Sequence, residues 1–318
     1  MKALRVVETG RAPELIDIEI PTPRPGDVQI KVDACGLNFA DLLMVQGKYQ
    51  DTPPAPFTLG MEIAGTITAL GDGVTHLSVG TRVAVFGGSG GLAEYGCFPS
   101  DLCLPLPNTM SSTEAAAFQV AYGTSHVALT HRAQMRAGER LLVLGAAGGV
   151  GLTAIEIGRH LGAEVIGVAR GAEKCAIVKE MGADHVLDSD GDVLSALKAL
   201  GGADVVYDPV GGELFKIAMR IARPEARLLA IGFASGDVPQ VPANILLVKN
   251  LSVLGFYWGG YMRFRPDVVT DSLAQLMTWH SDGKVSPHIS HVLPLDRAGE
   301  GLELLRTRKS TGKVVITP

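Results

Sequence analysis

The stretch Leu142–Gly151 reads "LVLGAAGGVG". An apolar run meets a cluster of glycines, and a helix-like pattern follows. The spacing Gly145-x-x-Gly148-x-x-Gly151 departs from the usual G-x-G-x-x-G, since Ala146 occupies the position of its first glycine. The physical needs are still met. A small residue makes the tight turn, Gly148 lets a pyrophosphate approach the backbone, and a third glycine lets the helix pack close to the strand. The helix N-terminus then offers N–H groups and a positive dipole to phosphate. A lone glycine motif is weak, and the alternative is a tight turn in a packed α/β protein that holds nothing. Its position between a strand and a helix favours the phosphate.

The end of the next strand, in "GVARGAEK", selects the cofactor. A site for NAD carries an acid there, about twenty residues past the glycines, on the ribose 2′-OH. Here Arg170 ends the strand and Lys174 follows four residues on. Arginine binds a 2′-phosphate that a carboxylate would repel. NADPH is therefore expected; the alternative is an ordinary charged loop. Glu173 reads as a solvated helix residue.

Metal chemistry has no support in the spacing. Cys35, Cys97, Cys103 and Cys175 form no C-x-x-C pair, and the eight histidines form no H-E-x-x-H. Free, packed thiols are expected. The net charge of −5 comes with no basic run, which argues against a nucleic-acid binder. No window approaches twenty uninterrupted apolar residues, so no membrane span is expected. "MKALRVVETG" holds no signal-like apolar stretch, and a cytoplasmic protein is expected.

Elements of two kinds must position these residues. The 318 residues exceed what one core usually serves. The first third reads as β: "VQIKVDACGL", "EIAGTITAL" and "TRVAVFG" are short runs set off by Gly and Pro, consistent with a small barrel or sandwich. "SSTEAAAFQVAYGTSHVAL" is helix-like, with Ser111 or Ser112 as its cap. Six apolar runs then alternate with helical segments, from "RLLVLGA" to "LSVLGF", which predicts a parallel sheet covered on both faces. "PDVVTDSLAQLMTWHSDGK" reads as a helix, and the tail as strand, helix, strand, expected to pack on the first domain.

Together, "GLNFADLLMVQGKY", "LGMEIAGTITALGDGV", "GTRVAVF", "AAGGVG" and "STGKVVITP" resemble a zinc-free medium-chain dehydrogenase/reductase of the NADPH:quinone oxidoreductase family, over nearly the whole chain. The resemblance implies an α/β protein with a GroES-like β-rich catalytic domain and a Rossmann domain with a doubly wound parallel sheet, the active site lying in the cleft. The expected division is 1–119 for the first part of the catalytic domain, 120–260 for the Rossmann domain and 261–318 for the completing segment. Zinc alcohol dehydrogenases place a catalytic Cys where this chain has Asn38, and a His where it has Met61. Both are poor zinc ligands, so no metal is expected.

The same resemblance implies the remaining site. Asn38 and Tyr49 would face nicotinamide and substrate, donating to a carbonyl oxygen or passing on a proton. By residue type alone they read as a loop-capping Asn and a half-buried Tyr. Asp41 and Glu62 would be structural. Thr124, the backbone of Gly149 and Val150, Val210, Phe233, Ser235, Phe256 and Lys313 would lie along the cofactor. The implied reaction is metal-free hydride transfer from NADPH to a quinone or an α,β-unsaturated carbonyl, of EC 1.6.5 or 1.3.1 type. The competing readings are an enoyl-thioester (acyl-CoA) reductase and a non-enzymatic NADPH-binding protein. "NLSVLGF" resembles the sheet edge through which relatives pair, so a homodimer is expected.

Overall fold

The structure, a computed structural model, describes residues 1–318. The chain forms two units, Met1–Val120 with Pro287–Pro318, and Ala121–Ser286. The last boundary therefore falls at Pro287, later than residue 261. The reason is local: the helices between those positions pack with the second unit.

The first unit is β-rich. In strand β3 (Asp27–Gly36) alternation puts Val28, Ile30, Val32 and Ala34 inside and leaves Lys31 in solvent. Strands β1 (Lys2–Val6), β2 (Glu14–Asp17) and β4 (Phe57–Thr58) form a three-stranded antiparallel sheet in the order β2-β1-β4. A seven-stranded sheet adds to β3 the strands β5 (Glu62–Leu70), β6 (Arg82–Phe86), β7 (Tyr95–Pro99), β8 (Cys103–Pro105), β15 (Ile289–Pro294) and β16 (Lys313–Thr317). Its path runs β15-β16-β3-β5-β6-β8, with β7 also on β3. Helices α1 (Phe39–Val45), α2 (Ser112–Ala116) and α11 (Ala298–Arg306) belong to this unit. Ile30, Leu37, Met44, Met61 and Ile63 are among its buried core.

The alanine-rich run reads as helical, and the structure breaks it. Ser111 caps α2 by accepting the Glu114 N–H (3.2 Å), and Glu114 answers by accepting the Ser111 N–H (2.9 Å). The chain leaves the helix at Ala117 and restarts as α3 (Gln119–Val127), followed by a π-turn over Ala128–Arg132. The break has a cause in another element: the buried Glu62 carboxylate accepts the Val120 N–H at 3.0 Å and so caps α3.

The second unit carries six parallel strands: β9 (Arg140–Leu144), β10 (Glu164–Ala169), β11 (His185–Asp188), β12 (Ala203–Asp208), β13 (Ala222–Ala230) and β14 (Ser252–Gly255). Their order is β11-β10-β9-β12-β13-β14. This is the doubly wound Rossmann order, in which chain direction across the sheet reverses between the first and fourth strands. Helices α4 (Gly149–His160), α5 (Ala172–Glu180), α6 (Val193–Ala199) and α7 (Gly212–Ile221) make the crossovers, and α8 (Ala243–Lys249), α9 (Trp258–Phe264) and α10 (Pro266–Ser281) complete the unit. Ligands of such sheets bind outside the carboxyl ends of the strands at the reversal, here β9 and β12.

Candidate active site

Register brings together three residues that are far apart in sequence. Gly36 pairs with Glu62 on one side and with Val315 on the other. Asn38, two residues past β3, thereby meets Glu62 at the start of β5 and Lys313 at the start of β16. The Lys313 ammonium donates to Asn38 Oδ1 at 2.7 Å and to Glu62 Oε2 at 2.8 Å. Asn38 Nδ2 donates to Glu62 Oε2 (3.1 Å) and to the Gly36 carbonyl (3.2 Å). An ammonium only donates, so the atom facing it must be the amide oxygen, and the orientation of Asn38 is settled by chemistry. Lys313 is 5 % exposed and Glu62 is fully buried. Asp41 lies beneath them and accepts the Asn38 backbone N–H at 2.8 Å. Burial pushes its carboxyl up to about 7, against the pull of that hydrogen bond and of the Lys313 charge.

Asn38 therefore both precedes α1, as a capping residue would, and joins a buried charge cluster. Both of its amide hydrogens are spent there. Donation to a substrate carbonyl requires giving up the 3.2 Å bond to Gly36. Tyr49 packs half-buried against the core of this unit.

In the second unit the glycine turn is shaped for close approach. Gly148 stands at the N-cap of α4 with extended backbone, no side chain caps that helix, and its first turn holds no acid. The N–H groups of Gly149, Val150 and Gly151 have no acceptor inside the helix. A Cβ on Gly151 would lie 2.5 Å from the Gly145 carbonyl oxygen and 2.7 Å from that of Ala146. A Cβ on Gly148 would meet only the Gly145 oxygen, at 3.4 Å. The two glycines thus serve different purposes. Gly151→Ala is expected to cost about 1–3 kcal/mol through a backbone clash, visible as a lower thermal midpoint. Gly148→Ala is expected to leave that midpoint nearly unchanged and to weaken nucleotide binding about tenfold or more in a titration, since the methyl group occupies the ligand's side of the turn.

Several expected residues gather at the same strand ends. Val210 follows β12, and its Cγ2 lies 2.7 Å from where a Gly145 Cβ would be. Asp208 fixes that loop by accepting the N–H groups of Val210 (2.7 Å) and Gly211 (2.9 Å). The Ser235 N–H donates to the Val210 carbonyl at 2.9 Å, and Phe233, 40 % exposed, stands beside Gly211. Thr124 is nearly buried in α3. Phe256 is buried, with its ring centroid 5.4 Å from that of Tyr261. Arg170 follows β10 in solvent, and Lys174, in the first turn of α5, is half-buried. The sequence reading finds no acid at that strand end, yet Asp190, from beyond β11, approaches Arg170 Nε at 3.3 Å.

Sequence reasoning also passes over Glu156. On α4 it accepts the Tyr122 hydroxyl at 2.5 Å and the Ser286 N–H at 3.2 Å. Burial pushes its carboxyl up to about 7. A carboxyl raised in the folded state keeps its proton while the unfolded chain loses it. Stability should therefore fall as pH rises from about 4.5 to 7, by at most about 3 kcal/mol. Glu156→Gln is expected to flatten that part of a plot of urea midpoint against pH.

Comparison with known proteins follows this geometry. Residues 24–108 match the alcohol dehydrogenase GroES-like domain, and residues 149–274 match the family described as zinc-binding dehydrogenase. A quinone oxidoreductase-like protein 2 homolog of Nematostella vectensis is 39% identical over 324 residues, covering 99% of this chain and 88% of that protein. The chain belongs to the quinone oxidoreductase family of medium-chain dehydrogenases. Among solved family members, the quinone oxidoreductase of Thermus thermophilus, determined alone and with NADPH, is 35% identical with a TM-score of 0.88, and all of each chain is covered. The Escherichia coli quinone oxidoreductase in complex with NADPH is 26% identical with a TM-score of 0.93, again over all of both chains.

The name of one matched family mentions zinc, and the residues of this family member do not fit that metal. Met61 is 1 % exposed and packs in the apolar core. Asn38 Oδ1 already faces an ammonium, which would repel a divalent ion beside it. No group of three or more His, Cys, Asp or Glu is placed to hold a metal ion. The glycine turn fits a dinucleotide, through the uncapped start of α4 and the space that Cβ atoms would fill. No helix is long and apolar enough to cross a membrane.

Proposed function

We propose that this protein is an NADPH-dependent oxidoreductase that reduces a quinone or an α,β-unsaturated carbonyl without a metal. The observation that carries the reading is the uncapped glycine turn at the β9–β12 reversal, with Arg170 and Lys174 at the end of the next strand. NADPH when bound supplies the hydride. The chain's own residues bind and orient. The first turn of α4, from Gly148 through Val150, receives the pyrophosphate, and Arg170 and Lys174 receive the 2′-phosphate. Thr124, Val210, Phe233 and Ser235 line the ribose and nicotinamide. In the first unit, Asn38 and Tyr49 act at the carbonyl oxygen. Lys313, paired with Glu62, holds Asn38 in place through its bond to the amide oxygen. A conjugated acceptor suits this equipment, because it needs less activation than a simple ketone polarised by zinc.

The deciding measurement is steady-state NADPH oxidation with a panel of quinones, enones and enoyl-CoA esters. Turnover of quinones or enones is expected. Turnover confined to the thioesters would transfer the assignment to an acyl-CoA reductase, and tight NADPH binding with no turnover would leave a nucleotide-binding protein without this activity. We further propose a homodimer formed along β14, the outer strand of its sheet, for which a mass measurement in solution is the test.

A further inference from the structure

Three hydroxyls lie buried beneath the glycine turn, each on a different element. Ser125 is on α3, Thr153 on α4 and Tyr207 on β12. Ser125 and Tyr207 are fully buried and Thr153 nearly so. Ser125 Oγ lies 2.8 Å from Thr153 Oγ1 and 3.0 Å from the Tyr207 oxygen. Ser125 also reaches the Val150 carbonyl at 3.0 Å. Thr153 Oγ1 is within reach of the carbonyls of Val150 and Ala121, both at 3.1 Å, and of Gly149 at 3.3 Å.

Counting hydrogens gives the direction of the chain. Three hydroxyls carry three hydrogens, and the carbonyls only accept. The Tyr207 hydroxyl donates to Ser125, Ser125 donates to Thr153, and Thr153 donates to a carbonyl, so that a hydrogen lies on each hydroxyl–hydroxyl contact. Burial pushes the Tyr207 phenol up, so it keeps its proton and stays a donor. Every member is satisfied, which makes the cluster a rigid connection inside a low-dielectric core.

Two of the carbonyls that this cluster meets, those of Gly149 and Val150, belong to the first turn of α4, and the third, that of Ala121, belongs to α3. The N–H groups of that first turn belong to the face that would meet phosphate. The three elements also end in the other expected contacts: Thr124 adjoins Ser125, and Val210 lies three residues beyond Tyr207. Apolar side chains of the same size would fill the space, but they would not fix the spacing between α3, α4 and β12. Hydrogen bonds do so to within a few tenths of an ångström. We infer that Ser125, Thr153 and Tyr207 are positioning residues that set the phosphate-facing turn of α4 in register with α3 and β12. This rests on the nucleotide reading above.

The test compares two probes on folded protein. NADPH spans the pyrophosphate turn, whereas 2′-AMP presents only the adenosine 2′-phosphate. In calorimetric or fluorescence titrations, Tyr207→Phe and Thr153→Val should each weaken NADPH by about 5- to 20-fold, and 2′-AMP by less than twofold. Thr153→Ser, which keeps the hydroxyl, should bind NADPH within about twofold of the unsubstituted protein. Should Thr153→Val fail to fold, Tyr207→Phe alone decides, since it removes one oxygen and no volume. Unchanged NADPH affinity in Tyr207→Phe overturns the inference. So does equal weakening of both probes, or a Thr153→Ser protein that binds as poorly as Thr153→Val. Unsubstituted protein that binds neither probe removes the nucleotide reading itself, and this inference with it, before any variant is made.

Discussion

Lys313→Met is expected to lower the thermal unfolding midpoint by roughly 6–20 °C. The substitution leaves Glu62 fully buried with its compensating charge removed. Stranding one partner of a buried ion pair costs about 3–5 kcal/mol, and each kcal/mol shifts the midpoint of a domain of this size by about 2–4 °C. The Asn38 amide and the Val120 N–H still solvate Glu62, which places the outcome toward the lower end. Glu62→Gln in the same chain should recover at least half of the loss, since a neutral amide needs no counter-charge. A single variant as stable as the parent, measured by calorimetry, would show that the cluster is not the closed charge pair that these distances describe.

The second large effect concerns cofactor choice. Arg170→Ala with Lys174→Ala should raise the KM for NADPH by about 10- to 100-fold and that for NADH by less than about threefold. Hydrogen bonds between charged partners are worth about 1.5–3 kcal/mol, and every 1.4 kcal/mol is tenfold. Asp190 complicates the site: its carboxylate lies 3.3 Å from Arg170 and competes with a 2′-phosphate for that guanidinium. The side chains of Arg170 and Asp190 are both exposed, so the competition is weak. Asp190→Asn is accordingly expected to improve the NADPH KM about two- to fivefold. Equal effects of the double variant on both nucleotides would reject the assignment of Arg170 and Lys174.

How much of this was legible follows the range of each interaction. The glycine turn could be read directly, because strand, turn and helix are contiguous from Arg140 to His160. The six strands of the second unit could also be read, since each holds a short apolar run between helical segments, although β11 is half polar and β13 begins in the polar stretch Arg223–Glu225. Arg170 was visible and Asp190 was not, because their meeting depends on two parallel strands lying side by side. The type of Asn38 suggested a donor. That both of its hydrogens are already used depends on Gly36 and Glu62, which only the sheet register supplies. The alanine-rich run carries no residue that announces its break, because the cap of α3 comes from Glu62 on β5. The hydroxyls of Ser125 and Tyr207 are 82 positions apart, and neither belongs to a pattern.

The position of β16 also bears on the order in which the protein matures. Lys313 closes onto Glu62 across a separation of 251 residues and onto Asn38 across 275. The second unit is one continuous segment whose sequence is complete before that of β16 is made. It can fold as soon as it emerges, whereas the first unit must wait for almost the entire chain. During that interval the sheet position beside β3 stays open, and Glu62 lacks its ammonium. A chain truncated just short of Lys313 and released from the ribosome should therefore hold a protease-resistant second unit and a labile first one. Adding the residues of β16 should convert the latter to resistance in a single step.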